Sequence, residues 1–321
     1  MSLMTALVYL VVGFVLLVWS ADRLVAGASA LARNFGVSAL VVGVTIVGFG
    51  TSAPEMVVSA LASLEGNPSL AVGNALGSNI ANIGLILGLT GLVYPMTVER
   101  STCTREIPLL AAVTLLTAIL MSNGHLSRAD GLILAGGLAV FLAAMILRGR
   151  QAGEVDSSTQ ALMSEISHGM PTRSAAIWTG VGLVMLPLSA QILVNGAIGL
   201  AELMGVSEAV IGLTIVALGT SLPELAAAIA SALRREDDLC IGNILGSNLF
   251  NLLGVLGIAA LIHPMDIERI LIVRDLPVMA LTFIMLAAMA MFAGRVGRLS
   301  AALLLVTYVV YQIVVFQEAL A

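Results

Sequence analysis

Ten long apolar stretches follow one another along the chain, each bounded by charged or turn-forming residues. Most contain about 20 residues or more, the length that a helix needs to cross about 30 Å of hydrocarbon. A membrane β-barrel would instead show segments of roughly 10 residues with alternating polarity. The pattern predicts an all-α integral membrane protein with ten helices over residues 3–32, 38–64, 69–93, 103–122, 128–149, 173–203, 207–233, 239–262, 272–293 and 298–317.

Composition agrees with that prediction, since 59% of the 321 residues are hydrophobic and only 10% are charged. The basic residues form no patch that would bind nucleic acid, so we expect the lipid bilayer as the main surroundings and no nucleic-acid partner. Cys103 and Cys240 stand at unrelated positions and imply no disulfide framework. The three histidines fall in loops or at helix ends, without the clustered partners of a transition-metal site.

The chain contains a long internal repeat. Residues 36–55 reappear as residues 205–224, with 13 of 20 positions identical at an offset of 169 residues. Further matches at the same offset extend over most of each half. We therefore expect a first five-helix repeat over 1–149, a cytoplasmic linker over 150–172 and a second five-helix repeat over 173–321.

The helix count predicts that the repeats are inverted. Five helices are an odd number, so the second repeat enters the membrane from the opposite side. All 14 basic residues are arginines. With the N-terminus outside, ten of them lie in cytoplasmic loops and three in outer loops, which is the usual positive-inside bias. We expect a multi-pass protein of the cell (inner) membrane with both termini outside.

The second helix of each repeat carries Gly-Thr-Ser-x-Pro-Glu, at 50–55 and 219–224. Pro54 cannot donate a backbone hydrogen bond and Gly50 weakens the helix, so helices 2 and 7 are expected to be discontinuous, with carbonyls freed around residues 48–51. Free carbonyls, hydroxyls and a carboxylate form an all-oxygen surface of the kind that binds hard cations such as Ca²⁺. The second repeat offers the same set at Ala217, Thr220, Ser221 and Glu224.

Glu55 and Glu224 stand near the middle of their predicted spans, where a short acid cannot reach water along the lipid. Serine and threonine in such helices often only hydrogen-bond their own backbone, and a glutamate near a helix end can extend to the interface. A mid-span glutamate, however, costs several kcal/mol unless it is paired, protonated or in a polar cavity. Two glutamates at equivalent repeat positions indicate a cation site.

The third helix of each repeat carries Gly-Asn-x-x-Gly-Ser-Asn-x-x-Asn, at 73–82 and 242–251. The serine and the last asparagine are four residues apart, on one helical face, and are expected to add neutral oxygen ligands from Ser78, Asn82, Ser247 and Asn251. The glycines are interpreted as packing positions. Two roles stay open, holding the broken helices together or contacting an ion, for Asn74, Asn79, Asn243 and Asn248. Asp22 and Arg23, adjacent in the first helix, are interpreted as a local polar kink or interfacial pair rather than a gate.

These four motifs, in this order, resemble the cation/Ca²⁺ exchanger superfamily, and specifically its prokaryotic-type Na⁺/Ca²⁺ exchanger branch. The resemblance covers essentially the whole chain. The proton-coupled branch typically has Gly-Asn-Ala before the acid, so Gly-Thr-Ser in both copies favours sodium coupling. The resemblance implies a secondary antiporter, not an enzyme, which exchanges Na⁺ for Ca²⁺ by alternating access as the first and sixth helices slide across the other eight.

The resemblance also implies roles for individual residues. Glu55 and Glu224 would bind Ca²⁺ directly, with Thr51 and Thr220 contributing oxygen. The flanking Na⁺ sites would use Ser52, Ser78, Ser221, Ser247 and the carbonyls of Gly48 and Ala217. Some relatives carry an aspartate at the position of Asn251, and in potassium-dependent relatives an acid there is associated with potassium transport. With asparagine at both 82 and 251, the centre of this chain holds two formal negative charges, which argues against potassium dependence. The expected functional unit is a monomer without a cofactor.

Three other functions are compatible with parts of the pattern. A Ca²⁺/H⁺ or other divalent-cation antiporter on the same scaffold is the nearest alternative, because a buried glutamate can also carry protons. A channel would need a continuous pore, usually around an oligomeric axis, whereas the predicted site lies within one chain. An intramembrane hydrolase would need a Ser/His pair or a metal-ligand motif at membrane depth, and the sequence offers neither.

Overall fold

The computed structural model describes residues 2–66, 68–154, 170–204 and 219–320, and most of them are helical. The α-helices are α1 (Leu3–Phe35), α2 (Ala39–Val42), α3 (Gly48–Thr51), α4 (Ala53–Leu64), α5 (Pro68–Ala81), α6 (Gly88–Val93), α7 (Arg100–Thr104), α8 (Glu106–Met121), α9 (Arg128–Glu154), α10 (Thr172–Leu203), α11 (Leu222–Leu233), α12 (Asp237–Leu249), α13 (Leu256–Ile262), α14 (Leu276–Ala288) and α15 (Arg298–Leu320). Five π-helical segments continue or join them, over Gly43–Val47, Asn82–Leu87, Phe250–Val255, Leu271–Asp275 and Met289–Ala293.

Within this part of the chain, eight helices are long and apolar enough to cross a membrane, and a ninth span results if α2–α3 and α4 count as one bent span. The two pieces, Ala39–Thr51 and Ala53–Leu64, meet at 44°. The predicted seventh helix falls partly on residues 205–218, outside the described residues, and its C-terminal part is α11. The prediction of an apolar helical membrane protein is confirmed.

Helix α1 shows why the sequence starts and stops a span where it does. Ser2 accepts a hydrogen bond from the backbone N–H of Thr5, which caps the first turn. Gly36 ends the helix in the left-handed conformation with φ 62°, which glycine adopts without strain. With 33 residues the helix is about 50 Å long, more than the hydrocarbon thickness, and is long enough to span the bilayer at a tilt.

Helices α1 and α10 pack closely along each other because small residues line their contact. A Cβ at Gly13 would lie 2.5 Å from the backbone nitrogen of Leu193. The hydroxyls of Ser20 and Ser189 are 3.2 Å apart where the helices cross. These two serines are equivalent in the repeat. Gly182 and Leu24, which are equivalent to Gly13 and Leu193, form the same contact on the other side of the crossing.

The centre of the molecule is formed by the third span of each repeat. In the most apolar window of the span Asp237–Ile262, 89% of the residues are buried, and 72% in the span Leu70–Val93, compared with 22% in α1. The motifs with serine and asparagine therefore lie in the interior, whereas much of α1 is exposed on the outside of the bundle.

Two short strand pairings connect loops at the ends of the bundle. β1 (Met96–Thr97) pairs antiparallel with β4 (Arg295–Val296), and β2 (His125–Leu126) pairs with β3 (Met265–Asp266). The all-α prediction omitted these two-residue strands. Each pairing brings a loop of the first half beside a loop of the second half.

The charged residues of α1 pair with other helices rather than with each other. Asp22 accepts a hydrogen bond from Nε of Arg234 at 2.8 Å, just after the end of α11. The guanidinium of Arg23 lies 5.0 Å from the centre of the Trp178 ring on α10, a cation–π contact. Both charges thus have partners that are distant in sequence, and the interpretation of Asp22 and Arg23 as a local polar kink or interfacial pair rather than a gate stays a prediction.

Candidate functional site

The break in the second helix lies at Ser52, between α3 and α4. Ser52 has φ −83° and ψ 1°, which ends one helix and starts the next. Pro54 follows in the first turn of α4, where a missing backbone N–H is tolerated. It also leaves the carbonyl of Gly50, four residues earlier, without its usual helical donor. The predicted discontinuity is thus confirmed for this helix.

The second copy of the motif has the same backbone geometry at its described end. Ser221 has φ −88° and ψ 1°, and Pro223 again stands at the start of the following helix, α11. Glu55 and Glu224 both lie in the first turn of their helices, where unpaired N–H groups favour a negative charge. The predicted ligand Ala217 lies outside the described residues.

The two carboxylates are buried, with Glu55 1% and Glu224 2% exposed. Ser52 donates from its hydroxyl to Oε1 of Glu224 at 3.1 Å, across the two halves of the chain. The Thr220 hydroxyl lies close to the Glu55 carboxylate from the other half. Oε2 of each glutamate has no hydrogen-bond partner in the described part of the chain. Each repeat therefore supplies hydroxyl groups to the carboxylate of the other.

Thr51 directs its hydroxyl towards the eighth span. Its Oγ1 lies 3.2 Å from Oδ1 of Asn243 and 3.4 Å from Oγ of Ser247. The carbonyl of Gly48 accepts a hydrogen bond from the Ser52 N–H at 3.1 Å, so the expectation that this carbonyl is freed by the break is wrong. The Thr51 hydroxyl also donates to this oxygen, at 3.4 Å.

Four buried asparagines form two hydrogen bonds across the centre. Asn82 donates from Nδ2 to Oδ1 of Asn248 at 3.4 Å, and Asn251 donates to Oδ1 of Asn79 at 3.1 Å. Asn82 starts the π-helical segment Asn82–Leu87, and Asn251 lies in the corresponding segment. Such π-helical segments are frequent at functional sites.

Asn74 holds the first broken helix in place. Its Nδ2 donates to Oγ of Ser59 at 2.9 Å and to the carbonyl of Glu55 at 3.1 Å. Of the two roles left open for Asn74, the contacts favour joining the helices α4 and α5. The partner Ser59 could not be predicted, because a serine one turn after Glu55 resembles many helix serines that bond only their own backbone.

The remaining predicted ligands lie on the same elements and are buried. Ser78 is one turn before Asn82, Ser221 forms the second break, and Ser247 is one turn before Asn251. Among the described residues no group of three or more His, Cys, Asp or Glu side chains is arranged so that it could hold a metal ion. The centre thus presents two carboxylates with amide and hydroxyl oxygens.

Electrostatics decides what such a centre can hold. Two buried carboxylates without a compensating cation would be costly in a low-dielectric interior. The described ion pairs involve other acids, so no arginine pairs with Glu55 or Glu224. Carboxylate, amide and hydroxyl oxygens are the ligands of hard cations, and Ca²⁺ takes six to eight of them at roughly 2.3–2.6 Å.

Comparisons with known proteins point the same way. Residues 5–147 and 174–317 match the family described as sodium/calcium exchanger protein. The chain is 44% identical over 319 residues to CaxA of Alkalimonas amylolytica, covering 98% of this chain and 100% of that protein. It is 45% identical over 291 residues to the inner membrane protein YrbG of Escherichia coli K12, covering 89% and 88%.

A solved structure has a very similar fold. The sodium-calcium exchanger NCX_Mj, soaked with Na⁺ and Sr²⁺, superimposes with a TM-score of 0.83 at 30% sequence identity. The match covers 96% of this chain and 98% of that one. The likeness therefore extends over both halves of the chain.

Proposed function

The chain belongs to the sodium/calcium exchanger family, and from this premise we propose that it exchanges Na⁺ for Ca²⁺ across the membrane through one central cation site. It is a multi-pass membrane transporter and not an enzyme. The observation that carries the proposal is a set of buried acceptor oxygens that have no donor among the described residues: Oε2 of Glu55 and Glu224 and Oδ1 of Asn82 and Asn251.

The proposed architecture has ten membrane helices in two inverted repeats, 1–149 and 173–321, joined by the linker 150–172. The pairing of loops at the bundle ends supports this architecture. An inverted repeat requires the loops of β1 and β4 to lie on one side of the membrane and the loops of β2 and β3 on the other, and these are the loops that pair. The arginine distribution supports an orientation with both termini outside the cell membrane.

In the proposed site, both repeats contribute equally. The two glutamates bind Ca²⁺, the threonines complete its oxygen shell, and the serines and backbone carbonyls form flanking Na⁺ sites. The proposed ligands are Glu55, Glu224, Thr51, Thr220, Ser52, Ser221, Ser78, Ser247, Asn82, Asn251, Gly48 and Ala217. Because all of them come from one chain, the monomer is the proposed functional unit, without a cofactor.

Competition between the cations explains the coupling. One Ca²⁺ neutralises two carboxylates, and several Na⁺ ions can replace it, but an empty site leaves two uncompensated charges in the interior. Only a loaded site can then be enclosed as the protein changes its access side. If more than two Na⁺ replace each Ca²⁺, transport moves net charge and responds to membrane potential at about 2.3 kcal/mol per charge per 100 mV.

Ion-gradient assays in reconstituted vesicles test the proposal. Vesicles loaded with Na⁺ and diluted into Na⁺-free medium should take up ⁴⁵Ca²⁺, and collapsing the Na⁺ gradient should stop the uptake. A second arm imposes a proton gradient in the absence of Na⁺. Uptake that follows the proton gradient and ignores Na⁺ would replace the sodium coupling with the Ca²⁺/H⁺ alternative.

A further inference from the structure

The two crossed amide hydrogen bonds determine which way the central asparagines face. An asparagine has an oxygen on one side of its amide and an NH₂ group on the other, and rotation about χ2 exchanges them. Asn82 and Asn251 each donate from Nδ2 to the opposite helix. Their Oδ1 atoms are left without a donor among the residues that the structure describes. A buried oxygen without a partner is costly unless a positive group reaches it.

Both of these oxygens belong to segments that touch the carboxylate helices. Helix α4, which carries Glu55 in its first turn, contacts the π-helical segment that contains Asn251. Helix α11, which carries Glu224, contacts the segment that starts with Asn82. The elements that carry the unpartnered amide oxygens are therefore packed directly against the helices that carry the unpartnered carboxylate oxygens.

We propose that Asn79 and Asn248 are positioning residues that fix the amides of Asn251 and Asn82 with their oxygens towards the cation. The inference rests on the proposed function, because the oxygens face a cation only if one binds between the carboxylates. Without its acceptor, an amide could turn over and donate its NH₂ group to a carboxylate. It would then occupy the place of the cation and oppose its entry.

The two positioning residues are not held equally well. Asn79 has a further contact, since its own Nδ2 lies 3.5 Å from Sδ of Met279. Nδ2 of Asn248 has no partner within the described ranges. Its bond to Asn82 is also the longer of the two, 3.4 Å against 3.1 Å. The pair Asn79–Asn251 is therefore the better one to test first.

The first test is the KM for Ca²⁺ in Na⁺-loaded vesicles. Asn79→Leu removes the acceptor while keeping a side chain of similar length, and should raise this KM about tenfold, the effect of one lost buried hydrogen bond. Uptake at saturating Ca²⁺ should change much less, because a bound cation itself holds the amide oxygen in place. An unchanged KM in a folded Asn79→Leu protein would overturn the inference.

A double-mutant cycle with Asn251→Asp separates positioning from packing. A carboxylate presents an oxygen on either side, so it needs no partner to orient it. In the Asn251→Asp background, Asn79→Leu should therefore raise the KM less than about twofold. An equal rise in both backgrounds would show that Asn79 acts through packing alone. The mirror cycle joins Asn248→Leu with Asn82→Asp and has the same expectation.

A binding measurement keeps the test independent of turnover. The Ca²⁺-dependent rise in melting temperature reports binding in each purified variant, including any that no longer transports. The cycle should show the same non-additivity in this readout, and additivity would contradict the inference. Wild-type vesicles that take up no Ca²⁺ under any gradient would refute the proposed function. Wild-type uptake with unaltered Asn79→Leu affinity would refute only the positioning role.

Discussion

Asn74 and Asn243 occupy equivalent positions in the two repeats, but their amides have different surroundings. Asn74 donates to Ser59 and to the backbone of Glu55. In the second repeat the position of Ser59 is taken by Ala228, and Nδ2 of Asn243 has no partner in the described structure. Equivalent residues have thus diverged one helix turn away from the glutamates.

The groups closest to the carboxylates show the opposite behaviour. The hydroxyls of Thr220 and Thr51 lie close to the carboxylates of Glu55 and Glu224, and the central asparagines also pair reciprocally. Reciprocity is therefore kept where side chains face the proposed ions and is lost where they only support a helix. Both repeats therefore keep the polar contacts at the proposed ion site, whereas the supporting hydrogen bonds one helix turn away differ.

The ends of the bundle differ as well. Asp22 pairs with Arg234, and Arg33 pairs with Glu236 at 3.1 Å, so two ion pairs tie α1 to the loop after α11. The equivalent positions cannot form either pair, because they are Gln191, Glu65, Glu202 and Asn67. Only one end of the molecule therefore has these ionic contacts, and under the proposed orientation it is the cytoplasmic end.

The largest effect is expected from the reciprocal centre. Glu55→Gln and Glu224→Gln each leave one charge of a buried pair, and each should lower Na⁺-driven Ca²⁺ uptake by at least about 100-fold. Glu106→Gln is the matched control, since it also neutralises a buried acid, 5% exposed, of a membrane helix and should retain uptake. Near wild-type uptake in either glutamate variant would show that the two glutamates do not contribute equally to the proposed site.

A smaller effect is expected where the second and eighth spans pack. A Cβ at Gly242 would lie 2.6 Å from the carbonyl oxygen of Leu40, a backbone atom that cannot move aside alone. Gly242→Ala should lower the free energy of unfolding by about 1–3 kcal/mol. Thermal unfolding in detergent measures it, with exposed Gly136→Ala in α9 as a control that should melt at or slightly above the wild-type temperature.

The equivalent Gly73→Ala extends the comparison to a region that the structure does not describe. Leu40 corresponds to residue 209, which lies within the undescribed range 205–218. If the packing is reciprocal, Gly73→Ala should be destabilising to the same degree. A melting temperature close to wild type would limit reciprocity to the polar centre.

The asymmetry at the asparagines should have a still smaller effect. Ser59→Ala makes the first repeat resemble the second and removes one hydrogen bond from Asn74, so it should destabilise the protein by about 1 kcal/mol. Ala228→Ser, the opposite change, offers a partner to Asn243. Unfolding measured with and without Ca²⁺ should show little change in Ca²⁺ affinity for either. A tenfold change in affinity would place Asn74 or Asn243 in the ion site.

The smallest effect is expected at the ionic end. Asp22→Asn removes a partly exposed ion pair and should change stability by less than about 1 kcal/mol, with the difference fading at high salt. Gln191→Asn at the equivalent position is the matched control and should show no salt dependence. A salt-independent loss of several kcal/mol would mean that Asp22 has a buried role.

Much of the fold and the location of the candidate site follow from the sequence. Apolar length gives the spans, Pro54 and Gly50 give the broken helix, and the repeated Glu55 and Glu224 give the position of the site. The exact position of the break, at Ser52, could not be predicted from the sequence. Proline disrupts a helix interior but is favoured in a first turn, so Pro54 indicates that a break is nearby without giving its residue. The strand pairings are too short to leave a pattern.

The contacts between the halves were beyond sequence reasoning. Spacing shows that Asn79 and Asn82 share a helix, but the choice of Asn251 and Asn248 as partners depends on how two distant spans pack. The π-helical segments at these asparagines also depend on that packing rather than on local propensity. For the same reason the partners of Asp22 and Arg23 could not be read from their neighbours in sequence.

The most direct test of the central claim is anomalous diffraction from crystals soaked in Sr²⁺, a heavier substitute for Ca²⁺. We expect one principal peak between Glu55 and Glu224, at cation–oxygen distances from both carboxylates and beside the amide oxygens of Asn82 and Asn251. We also expect loss of that peak when Na⁺ is in excess. A principal peak that touches only one glutamate, or neither, would contradict the claim.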